Sequence, residues 1–163
     1  MTKTSHTLLL ALALGLLCLS AVPLSPVDAQ QGTALAVITS AATPLDSMSS
    51  SELRRVFLGR TVEKSGVKLI PLNHAIKSSA RTLFDRIVLK MSADEVGRHW
   101  VAERIRGTRS APKSVSSVSL LLKVVSKVKG VISYVPSDKV PAGLKVLKID
   151  GALPQSPDYP IKG

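Results

Sequence analysis

The sequence predicts a mixed α/β fold: one mixed β-sheet flanked by helices. Three observations carry this. Short apolar runs rich in Val, Ile and Leu, such as Ala34–Thr39 and Val131–Val135, read as buried strands. Between them lie amphipathic stretches opened by serine caps and closed by glycine. The two kinds of segment alternate along the chain, the pattern of a sheet covered by helices.

The chain has 163 residues and opens with an expected export signal. Lys3 is the positive n-region, Leu8 to Leu19 the apolar core, and Val27-Asp28-Ala29 the small-x-small cleavage site, so residues 1–29 form the signal peptide. The apolar run is shorter than the roughly 20 residues of a membrane span. Cys18, the single cysteine, lies inside it. The mature chain therefore has no thiol, disulfide or cysteine metal site. Location is expected to be periplasmic or secreted.

Residues 30–151 are expected to form one domain, and residues 152–163, with Pro154, Pro157 and Pro160, an irregular Pro-rich tail. Within the domain, Ala34–Thr39 is the first strand. Ser49, Ser50 or Ser51 caps a helix carrying Leu53, Val56 and Phe57 on one face, and Gly59 stops it. Thr61–Gly66 is a polar turn. Val67–Leu72 is a second strand, with Pro71 placing it at an edge or ending it. Ser78 or Ser79 caps the next helix, where Leu83, Phe84, Ile87 and Val88 recur at helical spacing. Ser92-Ala-Asp-Glu95 is a capping box for a helix through Val96 and Trp100 toward Gly107. A basic loop follows. Ser116 or Ser117 caps a helix through Leu121 and Val125, Val131–Val135 is a strand, and Leu144–Ile149 alternates as a final one.

Net charge is +11, which favours anionic partners. Export argues against nucleic acid as the partner in vivo. Only 3% of residues are aromatic, so the core rests on Val, Leu and Ile. No Gly-x-Ser-x-Gly elbow or phosphate loop is present, acids are scattered, and His74 and His99 lack metal-ligand spacing. The chain is expected to be no enzyme and to carry no metal or cofactor.

The strongest candidate site is the Ser78-Ser79-Ala80-Arg81 turn. A helix N-terminus after a strand offers unpaired N–H groups and a partial positive charge to an oxyanion. Arg81 adds a fork of donors. Read alone, Ser78 is a helix cap and Arg81 a solvated charge. Asn73 and His74 sit at the preceding strand end, where ligands of open α/β sheets gather. Thr39 and Ser40, at the end of the first strand, complete the candidate set. Arg104, Arg106, Arg109 and Lys113 form a basic cluster that reads either as an anionic contact or as a solvated loop.

Five segments in order carry a resemblance: Ser51–Arg60 (SELRRVFLGR), Ile70-Pro-Leu-Asn73, Ser78–Phe84 (SSARTLF), Met91–Glu95 with Trp100, and Gly130–Val135 (GVISYV). Together they resemble the substrate-binding proteins of phosphate-type ABC transporters, in the type 2 periplasmic binding protein superfamily. The likeness covers most of the mature chain, at a length close to one of the family's two lobes. In that family a Ser-Gly-Thr turn at a helix start holds phosphate. Ser78 occupies the serine position, Ser79 stands at the glycine and Ala80 at the threonine. His74 aligns with a strand-end arginine, and Ile76 with an acidic position. The resemblance implies a solute-binding protein for phosphate or a similar oxyanion, with an ABC transporter permease or envelope protein as partner and with homo-oligomerisation left open. The alternative is an envelope interaction module that uses its basic surface on a protein or anionic polymer.

Overall fold

The computed structural model describes residues 33–163; the expected signal peptide and Cys18 lie outside the described residues. The chain runs through β1 (Leu35–Ser40), β2 (Ser47–Met48), α1 (Ser50–Phe57), β3 (Glu63–Lys64), β4 (Val67–Lys68) and β5 (Ile70–His74). It continues as α2 (Ser79–Phe84), which widens into a π-helical turn over Asp85–Leu89, then α3 (Ala93–Ile105), β6 (Lys113–Val115) and α4 (Val118–Lys127). It ends with β7 (Val131–Pro136), a 3-10 turn, β8 (Leu144–Val146) and β9 (Lys148–Ile149).

The main sheet has the order β6-β5-β7-β1-β8. β6, β5 and β7 are parallel, whereas β1 runs antiparallel to both β7 and β8. This is the mixed sheet flanked by helices that the sequence predicts. β1 is buried on both faces, which is why it reads as an unbroken apolar run. Leu35 and Val37 face the larger core beneath α1, α2 and α3, while Ala36 and Ile38 face a smaller one under α4 with Leu121 and Val125.

The serine caps form as the sequence signals them. Ser49 with Glu52 and Ser92 with Glu95 make complete capping boxes, and Ser78 and Ser117 cap α2 and α4.

Four expectations need correction. β5 is an interior strand, despite Pro71. Ile70 donates to the Gly130 carbonyl on the β7 side, so the Pro71 nitrogen turns the other way. Pairing with β6 begins only at Leu72, so the missing N–H forfeits no ladder bond. The expected polar turn after α1 contains a small hairpin, β3 with β4, turning at Ser65-Gly66. The single final strand is two, β8 in the main sheet and β9 paired with β2. Residues 152–163 join the core: Tyr159 and Ile161 are buried, the Tyr159 hydroxyl donates to the Leu35 carbonyl at 2.7 Å, and the Leu35 N–H donates to the Ile161 carbonyl at 3.0 Å.

Candidate anion-binding site

β5 ends at His74, and four residues later Ser78 caps α2. Ser78 has extended backbone, and its hydroxyl accepts from the Arg81 N–H at 3.3 Å. Its carbonyl takes the Thr82 N–H. Ser79 and Ala80, the first two helical residues, have N–H groups without intrahelical partners, and Ser79 is exposed. Ile76 stands exposed in the preceding turn.

Arg81 is not the solvated charge of the simplest reading. It is 6% exposed, and its Nε donates to both carboxylate oxygens of Asp85, at 2.8 and 2.7 Å. The pair spans one turn, from i to i+4. Burial holds the Asp85 carboxyl above its usual range, and the Arg81 guanidinium offsets only part of that. The pair lies beside the aromatic heart of the larger core. Phe84 stacks on Tyr134 with ring centroids 3.8 Å apart, and Phe57 closes on Phe84 at 4.6 Å.

Asn73 and His74 are buried and both engage Tyr134. The Tyr134 hydroxyl donates to the Asn73 side-chain oxygen at 3.1 Å. His74 Nε2 lies 2.6 Å from the Tyr134 carbonyl, which can only accept, so Nε2 carries the proton. Burial, reinforced by the nearby Arg81 charge, pushes the His74 pKa down, against the raising effect of that hydrogen bond. His74 is therefore neutral at pH 7, with its donor engaged by the backbone. Burial also drives the Tyr134 phenol far above its ordinary range.

Thr39 and Ser40 lie elsewhere. Thr39 pairs with Ile132, which in turn pairs with Pro71 near the start of β5. Three strand residues, roughly 10 Å, separate Pro71 from His74. The Thr39 hydroxyl bonds with Thr43 and the Val131 carbonyl, and Thr43 takes the Gly130 N–H. So Ser78, Ser79, Ala80, Arg81, Asn73 and His74 come together, and Thr39 with Ser40 cap the opposite end of the sheet. Asp85 and Tyr134 belong with the first group. The i, i+4 spacing of Arg81 and Asp85 was the signal for one of them.

The basic cluster after α3 is also partly paired. Glu103 is buried and accepts from Thr108 Oγ1 at 2.6 Å, Arg109 at 3.0 Å and Arg106 at 3.3 Å. The Thr108 hydroxyl, with the charges of Arg109 and Arg106, holds the Glu103 carboxyl below its usual range. Lys113 and Arg104 form no ion pair among the described residues.

Among the described residues there is no group of three or more metal-ligating side chains, and no helix is long and apolar enough to cross a membrane. No protein-family model matches the chain. No curated protein matches it either. Solved structures do. An ABC-type phosphate transport receptor from Vibrio cholerae superposes with a TM-score of 0.64 at 16% identity, covering 80% of this chain and 54% of the receptor. PstS from Borrelia burgdorferi superposes with a TM-score of 0.63 at 17% identity, covering 81% and 55%. The chain spans about half the length of these proteins, and over that half it shares their fold.

Proposed function

We propose that the protein is a periplasmic or secreted solute-binding module without enzymatic activity, and that its ligand is phosphate or a similar oxyanion held at the Ser78–Arg81 turn. One observation carries the reading. In a fold shared with a phosphate transport receptor, the carboxyl end of β5 feeds a serine-capped helix start with two free N–H groups. Ser78 and Ser79 supply hydroxyls, and the buried Arg81 supplies positive potential from behind. Asn73 and His74 build the wall below the turn through Tyr134.

The chain spans about half the length of that receptor, and in the described residues Ser79 of the turn is exposed, so water and salt screen an anion held there. The Arg81 guanidinium is already engaged by the Asp85 carboxylate, which weakens the positive potential it offers. Both points favour weak binding, with Kd in the range of about 0.1–1 mM. A transporter permease or an envelope protein that covers the turn would tighten it.

Isothermal titration of residues Gln30–Gly163 with phosphate, then sulfate, at low salt tests the reading. Saturable heat that disappears in Ser78→Ala is expected. No heat at millimolar phosphate would exclude a stand-alone receptor.

A further inference from the structure

The opposite end of the sheet carries a different surface. Where β5 and β7 begin, the segment after α1, the β3–β4 hairpin and the start of β6 enclose a groove of about 390 Å³. Its floor is apolar and recessed: Val56, Leu69 and Val131 are buried beneath it, and Ile70 stands half-exposed at its edge. Arg60, Lys68 and Lys113 line it and are exposed, and no carboxylate lines it.

Most cations of the described residues hold no carboxylate, but these three stand together around one groove. Lys64, Arg81, Arg106, Arg109 and Lys145 each hold a carboxylate. Among the described residues, Arg60, Lys68 and Lys113 hold none. Glu63 faces Lys68 across the hairpin and forms no ion pair with it. The groove thus gathers three cations from separate segments around an apolar floor, with no carboxylate in its lining.

A complementary ligand must present carboxylates on several sides and apolar groups between them. A bilayer surface is met by apolar groups that protrude, whereas here they lie below the charges. We propose that this groove docks an extended acidic segment of a partner protein, its carboxylates pairing with Arg60, Lys68 and Lys113 while its apolar side chains reach the floor. Opposite potentials steer such a segment in, and the apolar contacts hold it. The groove is at the far end of the sheet from Ser78, so this inference stands independently of anion binding there.

The test is fluorescence anisotropy with the mature protein and a labelled ten-residue peptide of alternating glutamate and leucine, near physiological salt. The triple variant Arg60→Glu, Lys68→Glu, Lys113→Glu is expected to weaken binding at least about tenfold. Arg98→Glu, Arg104→Glu, Lys139→Glu changes net charge equally on other surfaces, and is expected to weaken it less than about threefold. A peptide with serine in place of leucine is expected to bind about tenfold more weakly than the leucine peptide. In the unsubstituted protein, methyl NMR shifts are expected to localise at Val56, Leu69 and Val124. Equal losses in the two triple variants, equal binding of the serine peptide, or shifts confined to other surfaces would overturn the proposal. So would binding to phosphatidylglycerol vesicles without binding to the peptide.

Discussion

Replacing Asp85 by alanine strips the buried Arg81 of the carboxylate that holds its Nε from two sides. The side chains of the pair are 7% and 6% exposed, so water replaces little of the lost interaction. Removing one member of such a pair costs about 3–5 kcal/mol, because the other charge stays buried and unpaired. Domains of this kind have about 5–15 kcal/mol of stability in all, so the variant sits near the edge of folding at 37 °C. The double replacement Arg81→Met, Asp85→Leu keeps much of the volume and removes both charges. It is expected within about 1 kcal/mol of the parent protein, since a buried pair replaced by apolar residues is often neutral. Urea unfolding at pH 7, followed by circular dichroism and by the single tryptophan, Trp100, measures all of these. A loss below about 1 kcal/mol in Asp85→Ala would refute the argument, because the guanidinium would then have found solvent. So would a double variant as unstable as the single one.

Two further outcomes follow from backbone and proton. Gly130 has φ +85, and a Cβ there would lie 2.6 Å from the Lys68 carbonyl oxygen and 2.8 Å from a Val67 methyl. Gly130→Ala therefore combines a left-handed penalty of about 1–2 kcal/mol with a clash. The clash also presses on the junction where Gly130 bonds Ile70 and Thr43. Gly66→Ala, at φ +70 with nothing near, shows the left-handed penalty alone. Gly130→Ala is expected to lower the urea midpoint at least twice as far as Gly66→Ala, and equal shifts would contradict the packing described. The second outcome concerns pH. The folded pKa of His74 is depressed below the ordinary 6.5, so the unfolded chain takes up the proton first. Stability is full above about pH 6.5 and falls as pH drops below it. The carboxylates of Glu52, Glu95 and Glu103, also depressed, are lost only at more acid pH. A His74→Gln variant, which retains a donor for the Tyr134 carbonyl, is expected to flatten the stability slope between pH 6.5 and 5. An unchanged slope would place the titration elsewhere.

Local signals were legible in the sequence, and long-range ones were not. The capping box at Ser92, the serine run before Glu52 and the glycine after α1 need only a few neighbouring residues, and they mark the helices; which of Ser49, Ser50 and Ser51 caps α1 came only with the structure. β1 was legible because burial on both faces leaves an unbroken apolar run. β6 was not, since Lys113-Ser114-Val115 is three residues long and mostly exposed, and exists only because β5 lies beside it. Pro71 misled because a proline forbids a bond only on the side its nitrogen faces, which the sequence does not tell. In the candidate site the Ser78 cap could be placed from its neighbours. The location of Thr39 could not, because it depends on β1 running antiparallel to β7. Nor could the burial of His74, which follows from a tyrosine 60 positions away.

The fastening of Leu35 by Tyr159 and Ile161 has a consequence for the order of events as the chain is made. The first strand of the sheet is in place only when a segment 124 residues downstream has emerged to take its carbonyl. Its central partner, β7, also comes later, with Leu35 in register with Pro136, 101 residues on. Contacts this distant close slowly, after the loop between them has been ordered. A growing chain of this protein therefore carries its most apolar strand without a mate through most of its synthesis. Until the last partner arrives, that strand is an exposed apolar segment on which the growing chain can aggregate.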